Sequence, residues 1–133
     1  MKRLLLLLSC IVLSILTASA QRFYDRSGNF RGRVEKSRIY DRSGNYQGKI
    51  DGTYFYDKSG NYQGKVDKGR VYNEMGNLMG RIDDERVYDR SGNSLGRIHN
   101  DYIYDSSGNM MGRAEKLDVT TLALIYFFHF WNV

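Results

Sequence analysis

One 16-residue unit occurs six times along the chain without any insertion. The copies begin at Tyr24, Tyr40, Tyr56, Tyr72, Tyr88 and Tyr104. Their shared pattern is Tyr-Asp-x-Ser-Gly-Asn-x-x-Gly-Lys/Arg-Ile/Val, followed by four mostly polar residues and one apolar residue. Twelve of the 14 glycines occupy the two constant glycine positions. A fixed period of this kind predicts one supersecondary element per unit, packed only against its neighbours.

Each unit carries a strong turn signal, Asp-x-Ser-Gly. The aspartate carboxylate can accept backbone N–H groups of the turn, and the glycine can enter the left-handed region that forms a G1 bulge. In the fourth unit Asn73 replaces the aspartate. The predicted structural turn residues are Asp25, Gly28, Asp41, Gly44, Asp57, Gly60, Gly76, Asp89, Gly92, Asp105 and Gly108.

A second, weaker turn signal precedes the next apolar-Tyr pair, at Asp51-Gly52, Lys68-Gly69 and His99-Asn100. It favours a two-residue hairpin loop. The segments between the two turns are β-prone, and the frequent glycines each disfavour helix by ~1 kcal/mol relative to alanine. The chain is therefore predicted to be all-β.

The two loop lengths impose a constraint on the strands. A three-residue first loop places Tyr40 opposite Tyr46, and a two-residue second loop places Val34 opposite Ile39. Since Ile39 and Tyr40 are adjacent, they point to opposite faces of a regular strand, so the pleat must break once per unit. The second constant glycine, such as Gly48, is the expected place for that break. We therefore predict hairpins arranged radially, as a propeller-like ring, or a solenoid, rather than an open sheet.

These units resemble those of the five-fold β-flower proteins, small exported repeat proteins of Bacteroidetes-type bacteria. The likeness rests on (Ile/Val/Phe)-Tyr-Asp-x-x-Gly-x-x-x-Gly-(Lys/Arg)-(Ile/Val) units after a leader, and on the apolar, Phe-rich end at residues 122–131. It implies a ring of hairpin petals and no particular activity. Turn units number six, whereas complete units from the second glycine to the next Tyr-Asp number five. The sixth, Gly112-Arg113-Ala114, could pair with Phe23-Tyr24 to close a ring or could lead into the tail.

Residues 1–20 have the pattern of an export signal. Lys2 and Arg3 precede an apolar run from Leu4 to Leu16, and residues 18–20 offer the small side chains that a signal peptidase recognises. The run is shorter than the ~20 apolar residues of a membrane span. Lipoprotein anchoring at Cys10 is disfavoured, because the apolar run continues past it. We expect cleavage before Gln21 and a periplasmic or secreted protein without cysteine.

The remaining chain divides into a repeat domain, 21–119, and an apolar aromatic tail, 120–133. The tail is apolar at both strand parities, which is typical of a segment buried on both sides, so it could fill the centre of the ring as a plug. The alternative is an exposed tail that contacts a membrane or a partner. Packing on the repeat domain is the favoured interpretation.

The charged residues indicate a solvated surface. Without Lys2 and Arg3 the 20 basic residues fall to 18 against 15 acidic ones, a net charge of +3. Both signs are interleaved along every unit, which disfavours a nucleic-acid interface.

No catalytic residue, cofactor or metal site is predicted. His99 and His129 occupy unrelated positions of the unit, and no nucleophile–base constellation is visible. The turn aspartates lack the further carboxylates of a calcium loop, and turn capping accounts for them.

The 11 tyrosines allow a glycan-binding interpretation, for which Tyr54 and Tyr102 are the candidate ligand-binding residues. The competing interpretation is that the constant tyrosines pack the hairpins together. We expect an exported, non-catalytic structural or scaffold protein. The alternative is a cell-envelope binding module that holds a glycan or protein ligand on its tyrosine-bearing loops.

Overall fold

The computed structural model describes residues 20–133, so the predicted export signal, apart from Ala20, lies outside the described residues. Twelve antiparallel strands pair in sequence order, and β12 pairs with β1 to close the sheet into a barrel, called the ring below. The strands are β1 Gln21–Asp25, β2 Phe30–Glu35, β3 Arg38–Asp41, β4 Tyr46–Asp51, β5 Tyr54–Asp57, β6 Tyr62–Asp67, β7 Arg70–Asn73, β8 Leu78–Asp83, β9 Arg86–Asp89, β10 Ser94–His99, β11 Tyr102–Asp105 and β12 Met110–Ala114. One helix, α1 (Val119–Tyr126), follows within the described residues. The predicted all-β ring of hairpins is confirmed, with this helix as an addition.

Six turns of the Asp-x-Ser-Gly type lie at one end of the ring, the Asp-turn end. In the second of them the Asp41 Oδ1 accepts hydrogen bonds from the backbone N–H groups of Ser43 and Asn45, both at 2.9 Å. The Gly44 N–H donates to the Asp41 carbonyl, and Gly44 has a φ of 84°. The same two side-chain bonds recur in the other five turns, and Asn73 Oδ1 makes them in the fourth.

Five two-residue loops lie at the opposite, tight-turn end: 36–37, 52–53, 68–69, 84–85 and 100–101. The first residue of each loop is in the left-handed region, as at Gly52 with φ 62° and Asn100 with φ 48°. Two of the predicted signals, Asp51-Gly52 and His99-Asn100, therefore lie one residue too early. The sixth position at this end has no loop, because β12 and β1 pair there directly and the chain then continues into the tail.

The pleat breaks once per unit by a β-bulge beside the second constant glycine. Tyr40 lies opposite Tyr46 and Val34 opposite Ile39, as the loop lengths predict. Ile39 lies opposite Gly48, so Gln47 is an extra residue that leaves Ile39 facing inward and Tyr40 outward. The same shift occurs in all six pairs joined by an Asp turn.

Each inward-facing glycine next to a bulge lies under an aromatic ring. A Cβ built on any of the six would come within 2.6–2.9 Å of a ring carbon and would also clash with a tyrosine carbonyl of the adjacent strand. The pairs are Phe23 on Gly32, Trp131 on Gly48, Phe55 on Gly64, Phe128 on Gly80, Phe127 on Gly96 and Tyr126 on Gly112.

The source of each aromatic ring follows the residue directly opposite the glycine. Where that residue is Phe23 or Phe55, its own ring covers the glycine. Where it is the smaller Ile39, Val71, Val87 or Ile103, a ring from the tail covers the glycine instead. The wall and the tail are therefore complementary in shape.

The tail runs through the ring from the tight-turn end to the Asp-turn end. Gln21 Nε2 donates to the Lys116 carbonyl at one end, and Arg31 Nη2 donates to the Val133 carbonyl at the other. Between them α1 starts at a cap in which Asp118 Oδ2 accepts the Thr121 N–H, and residues 121–126 are buried. The segment is helical because no strand inside the ring could pair with it, so its backbone must satisfy its own hydrogen bonds. It is apolar on every side because it is enclosed on every side.

Two polar-tipped side chains of the tail bond to carbonyls of the ring. The Trp131 Nε1–H donates to the Tyr56 carbonyl at 3.0 Å, and the Tyr126 hydroxyl donates to the Tyr24 carbonyl. Burial raises the pKa of Tyr126 to about 12, so this phenol remains a donor. Both bonds satisfy ring carbonyls that lie beside bulge glycines.

Gly80→Ala should lower the free energy of unfolding by about 3 kcal/mol, because the added methyl would overpack against the Tyr88 carbonyl and the Phe128 ring. Gly76→Ala is the matched control, since Gly76 has φ 81° and nothing within 4 Å of its added Cβ. It should cost only about 1 kcal/mol from backbone strain. Urea unfolding of both variants measures the difference, and equal losses would contradict the close packing at Gly80.

Acid sensitivity should come in part from the turn aspartates. The pKa values of Asp25, Asp41, Asp57 and Asp89 are lowered, above all because the backbone N–H of the asparagine four residues later donates to each carboxylate. A lowered native pKa means that this stability is complete above the unfolded value of ~3.9 and is lost as the pH falls through the native pKa. The urea midpoint of the protein should therefore drop below about pH 4.

Asp→Asn at these four positions should keep the Oδ1 acceptor, as Asn73 does naturally, while removing the titrating charge. The urea midpoint of this variant should fall less steeply with acid than that of the parent protein. If the urea midpoints of the variant and the parent protein fell equally with pH, the turn carboxylates would contribute nothing to the acid dependence of stability.

Candidate functional site

The interior of the ring is occupied by its own chain. Leu122, Ala123, Leu124 and Ile125 have no exposed area, and Phe127, Phe128 and Phe130 pack against the same core. The surfaces left for a partner are the outer wall and the two ends of the ring.

The predicted ligand-binding tyrosines lie on opposite sides of the outer wall. Tyr54 is on β5 and Tyr102 on β11, which are six strands apart in either direction around the ring. Both are exposed, at 48% and 41%. Tyr54 lies beside Tyr62 with ring centroids 6.1 Å apart, whereas Tyr102 lies beside Tyr104 at 6.5 Å. The two tyrosines therefore do not line one groove.

The constant tyrosines form a belt of cation–π contacts around the outer wall. The Lys or Arg that follows each bulge glycine stacks on the tyrosine of the adjacent strand, at 4.1–5.5 Å from the ring centroid. The pairs are Arg33–Tyr40, Lys49–Tyr56, Lys65–Tyr72, Arg81–Tyr88, Arg97–Tyr104 and Arg113–Tyr24. The last pair joins β12 to β1, so the belt continues across the closure of the ring.

Cross-strand register orders the outward side chains into six equivalent ladders. In one ladder Asp67, Arg70, Arg81, Tyr88 and Ser94 lie opposite one another on five successive strands. The order is acid, base, base, tyrosine and a variable residue. In the ladders of Tyr54 and Tyr102 the tyrosine stands where the other four have their first base.

Four ladders therefore place two cations directly opposite each other. These pairs are Arg22 with Arg33, Arg38 with Lys49, Arg70 with Arg81, and Arg86 with Arg97. Side chains directly opposite have Cβ atoms about 5 Å apart, and like charges at that distance destabilise a sheet. The paired residues are 11 apart in the sequence, with residues of both charges between them, so the pairs were not recognised from the sequence. The recurring 11-residue spacing is the signal that could have found them.

A small cleft of about 280 Å³ opens at the tight-turn end between α1 and the strands β4–β6. Its lining is mostly apolar, with Ile50, Phe55, Val66 and Leu124, and it also includes Asp118 and Thr121. Ile50 and Val66 are half-buried beside it, as is Ile82 on β8, whereas Val34 and Ile98 are buried.

Residues 20–133 also show no metal-binding cluster and no membrane-spanning helix. No three His, Cys, Asp or Glu side chains in this range are placed to hold a metal ion. The helix of this range is too short to cross a membrane.

Comparison with known proteins agrees with the architecture. No curated protein and no solved structure matches the chain significantly. A family model described as "5-fold beta-flower protein" matches residues 20–131, which include every strand of the ring and most of the tail. The ring has five complete hairpins at its tight-turn end and a sixth pair formed by the two ends of the sheet. The chain therefore belongs to the 5-fold β-flower protein family.

Proposed function

We propose that this protein is an exported, non-catalytic structural or scaffold module that acts in the periplasm or outside the cell. The observation that carries the proposal is the filled interior. A ring that buries its own C-terminal segment at its centre has used the space in which a barrel holds a substrate or ligand. Recognition is then left to the wall and the loops.

A closed ring also suits a protein that folds after export without cysteine. All 12 strands are paired on both sides, so the ring presents no free strand edge to neighbouring molecules. The tail supplies the packing that a disulfide gives to many small exported domains. Export itself is supported by the leader pattern of residues 1–20.

Expression in a bacterial host tests this proposal. The protein recovered from the periplasm or medium should begin at Gln21 by mass spectrometry and should resist protease without any added ligand. Ala18→Lys with Ala20→Lys is the control that should retain the leader. A chain lacking residues 120–133 should be degraded after export, since four glycines of the ring lose the aromatic rings that cover them. Retention of the whole chain in the cytoplasm, or full resistance of the truncated ring, would contradict the proposal.

A binding module is the second candidate, and the exposed aromatic pair Tyr54–Tyr62 favours it. These rings are 48% and 37% exposed, their planes are tilted by 57°, and Tyr54 lies opposite Lys65, so they offer two exposed aromatic surfaces next to a cation. Such a surface suits stacking against a sugar ring.

Tyr54→Ala should then weaken retention on a glycan array, and Tyr102→Ala should act independently, because the two sites are six strands apart. Ser94→Ala, at an outward position without an aromatic ring, is the control. An array on which the protein retains no glycan would exclude this candidate.

A further inference from the structure

The exposed apolar side chains of the outer wall are concentrated on one side of the ring. Seven large apolar or aromatic side chains of residues 20–133 are exposed, and five of them lie on β5–β8 or in the turn between β7 and β8. One ladder runs from Tyr54 across β6 and β7 to Leu78. The five residues, called the apolar face below, are Tyr54, Tyr62, Met75, Leu78 and Met79.

The fourth unit differs from the other five at positions that form the apolar face. Met75 is 72% exposed and stands where the other five units have serine. In the second unit the Gln47 side chain donates to the Asp41 carboxylate at 3.0 Å, and the third unit repeats this bond. In the fourth unit Met79 and Asn73 replace both partners, although Asn73 still caps the turn. The ring therefore accepts serine and glutamine at these positions, and the methionines are not explained by the fold.

The two Asp turns beside the apolar face carry opposite charges. The third residue of the unit is Lys58 in the third unit and Glu74 in the fourth, and both side chains are exposed. Neither forms an ion pair within residues 20–133. Glu74 is the one acid at this position, because the other units have a base or a serine there: Arg26, Arg42, Arg90 and Ser106.

The remaining charges of this side of the ring nearly cancel. Residues 54–83 contain five basic and four acidic residues, a net charge of +1. Asp67 lies opposite Arg70, and Arg81 pairs with Asp83 at 3.9 Å. Lys65 stacks on the Tyr72 ring. A second copy of the same surface would therefore meet little net repulsion.

We infer that two copies of this chain join through their apolar faces, about a two-fold axis parallel to the axis of the ring and between β6 and β7. The units repeat by rotation about the ring axis, so residues at the same position of adjacent units lie at the same height. The two-fold axis therefore brings Lys58 against Glu74 of the second copy. It likewise brings Tyr62 against Leu78 of the second copy, and each contact occurs twice.

The apolar face is complementary to itself in this arrangement. The half on β5 and β6 presents the aromatic rings of Tyr54 and Tyr62, whereas the half on β7 and β8 presents Met75 and Met79 with Leu78. Methionine adapts its shape to a neighbouring surface, and its sulfur packs favourably against aromatic rings. Each half therefore meets the other half of the second copy. The inference goes beyond the proposed scaffold module, because it states how two modules join.

The neighbouring pairs of units fit a second copy less well. An axis between the second and third units would bring Arg42 against Lys58, which are like charges. An axis between the fourth and fifth units would bring Glu74 against Arg90, but Ser94 in the fifth unit removes the apolar contact. Opposite charges and apolar side chains coincide at the third and fourth units.

The small size of the face predicts a weak, reversible dimer. Four strands of about six residues cover roughly 20 Å by 20 Å, which is at the low end of specific interfaces. Analytical ultracentrifugation of the chain that begins at Gln21 should show a monomer that converts to a dimer through the micromolar range and grows no further. A monomer at every concentration would overturn the inference, as would oligomers that grow without limit.

The apolar contact is tested by Met75→Ser with Leu78→Ser and Met79→Gln. These are residues that other units have at the same positions, so the ring should fold as before. The dissociation constant of the dimer should rise by about tenfold or more. Met110→Ser is the matched control, since Met110 is exposed at the position of Leu78 but lies on β12. Equal dimerisation of the triple variant and the control would overturn the inference.

The charge contact is tested by reversal. Lys58→Glu should weaken the dimer by about tenfold, because it turns both attractive pairs into repulsive ones. Lys58→Glu with Glu74→Lys should restore it. Arg90→Glu makes the same change in charge on the other side of Glu74 and should leave the dimer intact. A double variant that stays as weak as Lys58→Glu would contradict the proposed contact.

The orientation of the two copies is tested by Lys58→Cys with Glu74→Cys. The single cysteine of the chain, Cys10, precedes Gln21 and does not interfere. Within one ring the two positions are two strands or about 10 Å apart, which is beyond the ~7 Å that a disulfide spans between Cα atoms. Oxidation should therefore give a covalent dimer.

Arg26→Cys with Arg42→Cys has the same spacing on adjacent Asp turns outside the apolar face, and it should remain monomeric under the same oxidation. Equal cross-linking of the two double variants would overturn the inference. An exported, protease-resistant ring that stays monomeric would reject the dimer and leave the proposed scaffold module intact. Failure of the scaffold proposal would instead appear as retention of the chain in the cytoplasm.

Discussion

The structure depends on the packing of six aromatic rings against the six inward-facing glycines beside the β-bulges. Beside each β-bulge, a tyrosine carbonyl of the next strand lies so close to the glycine that no Cβ fits between them. The glycine therefore leaves an inward surface without a side chain, and an aromatic ring fills the space that would otherwise be a void. Pairing of exposed strand glycines with cross-strand aromatic rings is a known device for stabilising β-sheets. Here it also decides what the interior of the ring must contain.

This constraint determines which aromatic rings come from the strands of the wall and which come from the tail. Phe23 and Phe55 cover the glycines directly opposite them. The side chains at the four equivalent positions are too small to do so: Ile39, Val71, Val87 and Ile103. The tail supplies the four missing rings, from Tyr126, Phe127, Phe128 and Trp131. Loss of a buried aromatic side chain typically costs about 3–5 kcal/mol, so the tail is part of the core of this domain rather than an appendage.

Much of the fold could be predicted because the units are short and their turns are specified locally. The loop lengths gave the pairing of Tyr40 with Tyr46 and the need for a break near Gly48, since both depend only on residues a few positions apart. The helical form of residues 119–126 could not be derived in this way, because it depends on enclosure by strands far away in the sequence. The cation pairs were missed for a related reason: Arg70 and Arg81 meet only once the bulge has shifted the register. Tyr54 and Tyr102 were predicted as ligand-binding residues, but their separation follows from the closure of 12 strands, and the count of units left the size of the ring open between five and six.

The choice of side chain is more constrained on the inner face of the ring than on the outer face. Inside, glycine and aromatic residues are constrained by contact at van der Waals distance; outside, the ladders accept arginine, lysine or tyrosine at equivalent places. Recognition can therefore vary on the wall without disturbing the core. The most direct test of the packing that holds the ring together is the chemical shift of the glycine Hα protons in the NMR spectrum. Aromatic rings stacked on Gly48, Gly80, Gly96 and Gly112 should move these signals well upfield, as for Gly32 and Gly64. Ordinary shifts at the four glycines that the tail covers, beside displaced shifts at Gly32 and Gly64, would contradict the central role of the tail.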